Sequence, residues 1–175
     1  KKLTEDLVEA SKASSGALNV ELQPTDVNVL LSQIEGEYQE RLAACQLTLV
    51  TQPPAPGTVI RADSRLLSRV MDNLVSNICK YALPGTRVYV VSTLSRKAVT
   101  ISFKNVSRDE LNISPDELME RFVRGDASRH TEGSGLGLSI ARSLVQLQGG
   151  RFDLAIDADL FRADITFPLS ESAAS

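Results

Sequence analysis

Apolar residues recur along this chain with two periods, and the switches between them mark its elements. Val27, Leu30, Leu31, Ile34 and Leu42 return at helical spacing. They predict a helix capped by Thr25 or Asp26. Leu47-Thr48-Leu49-Val50 alternates with period two and predicts a strand. A proline-rich turn at residues 53–57 and a short strand at Val59-Ile60 follow. Asp63 then caps a long helical pattern that runs to about Ala82 and is broken by Pro84-Gly85. Its apolar stripe is Leu66, Leu67, Val70, Leu74 and Ile78. Residues 87–93 and 98–104 predict a strand pair. Ser114-Pro115-Asp116-Glu117 is a helix start, with Ser114 as N-cap, proline at the first helical position and Glu117 closing a capping box. A glycine-rich loop at residues 133–137 leads into a helix ending near Gln148, where Gly149-Gly150 stops it. Residues 151–156 and 160–167 predict a hairpin around Asp157-Ala158-Asp159. Helices and strands alternate, yet hairpins are frequent. The expected class is α+β, an α/β sandwich with a mixed sheet and not a doubly wound parallel one.

The first 18 residues differ. Leu3, Leu7, Ala10 and Ala17 form a coiled-coil-like seam, and Ser14-Ser15-Gly16 supplies a stop. Residues 19–25 read as a linker, in which Pro24 bars a continuous helix. The expected organisation is a helix end at 1–18, a linker at 19–25, a domain at 26–170 and a tail at 171–175.

Composition narrows the function. Of 175 residues, 42% are hydrophobic and 23% charged, as in a globular protein with a real core. The net charge is -3 and no basic block exists, so nucleic acid is not an expected partner. Two cysteines, Cys45 and Cys79, are far apart in sequence, and one histidine is too few for a zinc site. They predict a reducing, cytoplasmic setting. No apolar run approaches the ~20 residues that cross a bilayer. The chain opens with Lys1-Lys2-Leu3, which suggests a fragment whose parent carries a membrane anchor.

Two features carry candidate chemistry. Asn73, Asn77 and Lys80 share one edge of the long helix, at spacings of four and three, with Tyr81 beside them. Asparagine is a poor helix former, so two inside one helix need a reason. Paired amide oxygens can hold Mg²⁺ or its waters, and Lys80 can face a phosphate. A solvated polar edge is the bland alternative. The second feature is Gly133-Ser134-Gly135-Leu136-Gly137-Leu138. Its glycines let backbone N–H groups approach an anion, and the next helix aims its positive end there. A flexible linker is the competing reading.

Together these segments resemble a known family. Asn73-Leu74-Val75-Ser76-Asn77 with Lys80 and Tyr81 resembles the N box of bacterial sensor histidine kinases. Residues 120–126, Glu-Arg-Phe-Val-Arg-Gly-Asp, resemble their F box. Gly133 to Leu138 resembles their last glycine box. The resemblance implies a two-layer, Bergerat-type α/β sandwich, its mixed β-sheet backed by about three helices. It implies ATP and Mg²⁺ as ligands, and transfer of the γ-phosphoryl to a histidine on a dimerisation hairpin for relay to a response regulator. Residues 1–18 would end that hairpin, in a homodimeric, membrane-anchored parent. Asn77 would hold Mg²⁺, with Asn73 touching phosphate or metal-bound water. Lys80 and Tyr81 would contact phosphate and the nucleotide's rim, Arg124 would face the γ-phosphate, and residues 121–132 would be a mobile lid. Gly133, Ser134, Gly135, Leu136, Gly137 and Leu138 would wrap the phosphates.

One departure stands out. The family has Asp-x-Gly-x-Gly where this chain reads Lys104-Asn105-Val106-Ser107-Arg108-Asp109. Asn105 takes the place of the aspartate that accepts from the adenine amino group; Asp109 is a substitute at the wrong spacing. His130, the one histidine, is followed by Thr131 and not by an acidic residue, unlike the family's phosphoacceptor. Two alternatives remain: a gyrase- or Hsp90-like ATPase, and a degenerate nucleotide-binding module.

Overall fold

The computed structural model describes residues 8, 11–12, 18–123 and 137–171. Five strands form one mixed sheet in the order β2-β4-β5-β7-β6: β2 (Thr48–Gln52), β4 (Arg87–Leu94), β5 (Ala98–Val106), β7 (Leu160–Pro168) and β6 (Arg151–Asp157). The β2–β4 pair is parallel and the other pairs are antiparallel. One face of the sheet is apolar and covered. Val88 and Val90, Val99, Ile101 and Phe103, and Phe161, Ala163, Ile165 and Phe167 alternate inward along their strands and are at most 7% exposed. The helices α1 (Val27–Ala44), α2 (Ser64–Tyr81), α3 (Pro115–Val123) and α4 (Gly137–Leu147) complete the second layer. The expected α+β sandwich is the observed fold.

The caps are local and legible. Asp26 accepts from the backbone N–H groups of Asn28 and Val29, so it, and not Thr25, starts α1. Ser114 Oγ accepts from the Glu117 N–H at 3.2 Å and starts α3. The α4 helix ends at Gly149, whose φ of 83° is the left-handed conformation that glycine adopts without strain.

The linker expectation needs correction. Within 19–25, Gln23 to Thr25 belong to a strand, β1 (Gln23–Asp26), antiparallel to β3 (Val59–Ala62). Pro24 bars a helix as expected, and a two-stranded ribbon accommodates it. The segment just before β1 is also tied down. The Glu21 N–H donates to the Asp63 carboxylate at 2.9 Å, and the Arg65 guanidinium donates to the Asn19 carbonyl at 3.2 Å.

Asp63 gathers several of these contacts. It is 2% exposed and caps α2 by accepting from Arg65 and Leu66. Its own N–H donates to Gln148 Oε1 at 2.9 Å. Burial raises the pKa of this carboxyl, but the N–H groups of Glu21, Leu66 and Arg65, with the Arg65 side chain, outweigh it and hold the pKa below 3.8. A depressed native pKa means that the ionised form is favoured by folding. Its stabilisation is therefore complete above the unfolded pKa and lost as pH falls through the native value. We expect Asp63→Ala to cost about 0.5–2 kcal/mol at neutral pH, the range for a lost N-cap. The gap from wild type should stay constant above pH 5 and shrink below 3.8. Urea melts of both forms across pH check this; a gap independent of pH would remove the charge from the explanation.

Candidate nucleotide site between helices α2 and α4

The α2 helix buries Leu66, Leu67, Val70, Met71, Leu74, Val75 and Ile78 in the common hydrophobic core and packs closely on α4. Asn73 lies with them at 7% exposure, while Asn77, Lys80 and Tyr81 are half-buried. The polar edge expected from the sequence exists, and its first member is deeper than an edge residue. Asn73 Nδ2 is buried and has no hydrogen-bond partner among the described residues. Such a donor costs stability unless a ligand or water completes it.

The start of α4 comes to the same place. A Cβ built on Gly137 would lie 4.0 Å from the Asn73 carbonyl oxygen. The first turn of α4 therefore abuts the middle of α2. Two segments more than 60 residues apart in sequence meet where the sequence reading needs them to meet. Leu138 is 1% exposed and anchors that turn in the core. Arg124, Gly133, Ser134, Gly135 and Leu136 lie outside the described residues, as does His130. Of the expected lid, Arg121 to Val123 form the last turn of α3, and 124–132 lie outside the described residues.

The other end of the site is built by strand β5. The sequence reading ends this strand near Lys104, but it continues to Val106 because β7 pairs with it through Asn105↔Phe161 and Val106↔Leu160. Asn105 thus follows Val99, Ile101 and Phe103 onto the covered face. It is 3% exposed, and its Oδ1 has no hydrogen-bond partner among the described residues. The end of α2 is stitched to the same strand end. The Leu83 N–H donates to the Val106 carbonyl at 2.8 Å, and the Arg108 N–H donates to the Tyr81 carbonyl at 2.8 Å. Ala82 bridges to Ser107. Asp109, the substitute by sequence, has a 75% exposed side chain paired loosely with Arg108, so it does not join Asn105 in the covered layer.

Asn73 and Tyr81 are eight residues apart on α2, or about 12 Å along its axis. The site therefore has two ends. Among the described residues, one offers a buried, unpaired donor beside the start of α4; the other offers a buried, unpaired acceptor on the sheet. The donor end suits an anion and the acceptor end suits an amino group.

The sequence reading missed one neighbouring cluster. On the far side of α2, Arg41 of α1 donates to Asp72 Oδ1 at 2.7 Å and to Ser76 Oγ at 2.5 Å, and lies over the Tyr38 ring at 6.0 Å. Asp72 and Ser76 immediately precede Asn73 and Asn77, so this clamp fixes the rotation of α2 about its axis. Its signal was a polar pair four residues apart on α2; its partner, 31 residues upstream, gave none. Cys79 also faces α1. Burial pushes its thiol up to about 12, contact with the Cys45 thiol adds to that, and Arg41 opposes it. Both cysteines are free.

Comparison with known proteins agrees with the fold. Residues 62–171 match the family described as histidine kinase-, DNA gyrase B-, and HSP90-like ATPase. The match covers more than half of the chain, and the chain belongs to this family. Among curated relatives, the signal transduction histidine-protein kinase BaeS of Escherichia coli (strain K12) is 33% identical over 156 residues, which are 86% of this chain and 32% of that protein. The sensor histidine kinase HprS of the same organism is 31% identical over 157 residues, 85% of this chain and 32% of that protein. The chain spans about a third of the length of these relatives. The full-length ShkA structure, solved with AMPPNP, shares the fold with a TM-score of 0.77 at 22% identity, covering 99% of this chain and 36% of that one. The Acinetobacter baumannii histidine kinase AdeS gives a TM-score of 0.73 at 14% identity, covering 96% and 77%. The chain is an ATP-binding domain of the histidine-kinase type. Among the described residues, no helix is long and apolar enough to cross a membrane.

Proposed function

We propose that this chain is the catalytic domain of a sensor histidine kinase, which binds Mg-ATP and delivers the γ-phosphoryl to a histidine on a dimerisation hairpin. In the parent, a homodimer, the phosphoryl then passes to a response regulator. The observation that carries the reading is the pair of buried amides, unpartnered among the described residues, at opposite ends of one site, with the start of α4 beside Asn73.

The resemblance to sensor histidine kinases, together with the chemistry of each side chain, gives the roles. Asn77, half-buried on the polar edge of α2, offers an amide oxygen to Mg²⁺, a hard ion that takes oxygen ligands. Asn73 Nδ2 donates to a phosphate oxygen. Lys80 adds positive charge, and Tyr81 covers the nucleotide's rim. Arg124 and the glycines at 133, 135 and 137 complete the phosphate contacts. Asn105 reads the base. Bound Mg²⁺ supplies charge neutralisation across the phosphates.

A gyrase- or Hsp90-like ATPase is disfavoured by one residue. Hydrolysis needs a base to take a proton from water, and an amide at position 73, one turn before Asn77, cannot accept it. An acceptor brought by another domain removes that need.

Equilibrium binding tests the reading. Mg-ATP at ~100 times its dissociation constant should stabilise the fold by about 2.7 kcal/mol. Thermal melts with and without Mg-ATP measure this. An unchanged melting curve at saturating nucleotide would leave a degenerate, non-binding module as the better description.

A further inference from the structure

Asn105 is at the base end of the site, 3% exposed on the covered face of β5, and its Oδ1 has no partner. A carboxylate at this position would present acceptors only. A carboxamide presents an acceptor at one end and two donors at the other. The ends are similar in size, and a half turn of the side chain exchanges them. Among the described residues, no donor holds Oδ1 and so none locks the amide in one orientation. Phe103 precedes it on the same face, Phe161 is its register partner, and the Asp109 carboxylate is largely in solvent.

The two purines differ most at the edge that such an amide would meet. Adenine carries an amino donor at its six position beside the N1 acceptor. Guanine carries the O6 acceptor beside an N1–H donor. These patterns are opposite in sense, and an amide that is free to turn complements both. Oδ1 accepts from the adenine amino group while Nδ2 donates to N1. After a half turn, Nδ2 donates to O6 while Oδ1 accepts from N1–H. We propose that Asn105 makes this site accept guanine nucleotides alongside adenine nucleotides. The proposal rests on the reading above, that the Asn105 end of the site holds the base.

Calorimetry on the 175-residue chain tests it, with the Mg²⁺ complexes of ATP, GTP and ITP as probes and wild type and Asn105→Asp as proteins. In wild type, GTP and ITP should bind within about tenfold of ATP, because each purine finds a complementary edge. ITP has O6 and N1–H but no 2-amino group, so its binding assigns the recognition to the six-position edge. In Asn105→Asp a carboxylate faces O6, and the preference for ATP should widen to about a hundredfold or more. Thermal melting verifies that the variant is folded; if it is not, the wild-type ratios decide alone. ATP binding with GTP weaker by more than about a hundredfold in wild type would overturn this proposal and leave the ATP-site reading standing. An unchanged ATP-to-GTP ratio in folded Asn105→Asp would also overturn it. Failure of every nucleotide to bind would remove the ATP-site reading, and this inference with it.

Discussion

Asn77→Ala is expected to leave the domain folded and to lower phosphotransfer by at least on the order of a hundredfold. The two effects separate because the side chain is half-buried on the polar edge of α2, outside the apolar stripe that anchors the helix in the core. Alanine is the better helix former, by up to about 0.7 kcal/mol, so backbone propensity favours the variant. What is lost is an oxygen for the metal, and phosphoryl transfer depends on the metal to neutralise charge as it develops. The assay needs an acceptor hairpin supplied with the domain. Wild-type rates in the variant, at Mg²⁺ near its half-saturating concentration, would take the metal away from Asn77. A variant that melts early would instead make Asn77 a structural residue.

The second large effect concerns the chain alone. Incubated with Mg-ATP labelled on the γ-phosphate, it is expected to bind nucleotide and remain unlabelled. His130 is the one histidine, and the residue after it, Thr131, is not acidic. Asn73, at 7% exposure, has no basic atom with which to activate water. Addition of a separate dimerisation hairpin should turn transfer on, at a rate set by docking of the two parts. Acid-labile label on His130 of the lone chain would contradict the expectation. Rapid release of inorganic phosphate by the lone chain would favour the ATPase reading.

Much of this fold was legible because its signals are local. Asp26, Asp63 and Ser114 each cap a helix through N–H groups two or three residues away, a distance that sequence spacing fixes. The alternation in β4, β5 and β7 states which face is covered. Strand β1 was hidden because Gln23-Pro24-Thr25-Asp26 has no apolar alternation. Backbone hydrogen bonds to β3 make it a strand, and these leave no mark on side-chain pattern. The extent of β5 was hidden for a similar reason, since its pairing with β7 outweighs the poor strand propensity of Asn105. At the site, residue types were legible and burial was not. The spacing of Asn73 and Asn77 announces a shared edge. Only the packing of α4 on α2 shows that Asn73 is sealed in and that its Nδ2 lacks a partner.

The bond from the Asp63 N–H to Gln148 has a mechanical consequence. It fastens the residue that begins α2 to the residue just after α4, and Gln148 is held in turn by Nε2 donating to the Leu144 carbonyl at 2.8 Å. The two helices therefore run in opposite directions and are riveted at the end away from Asn73 and Gly137. Val145 and Phe167 crowd the same corner: a Cβ on Gly150 would come within 2.9 Å of Val145 and 3.0 Å of Phe167. Any tilt of α4 relative to α2 has its fulcrum there. The helix α4 is then a lever whose far end, Gly137, lies against the middle of α2 at Asn73, so a small rotation at the rivet becomes the largest displacement of α4 where it meets Asn73.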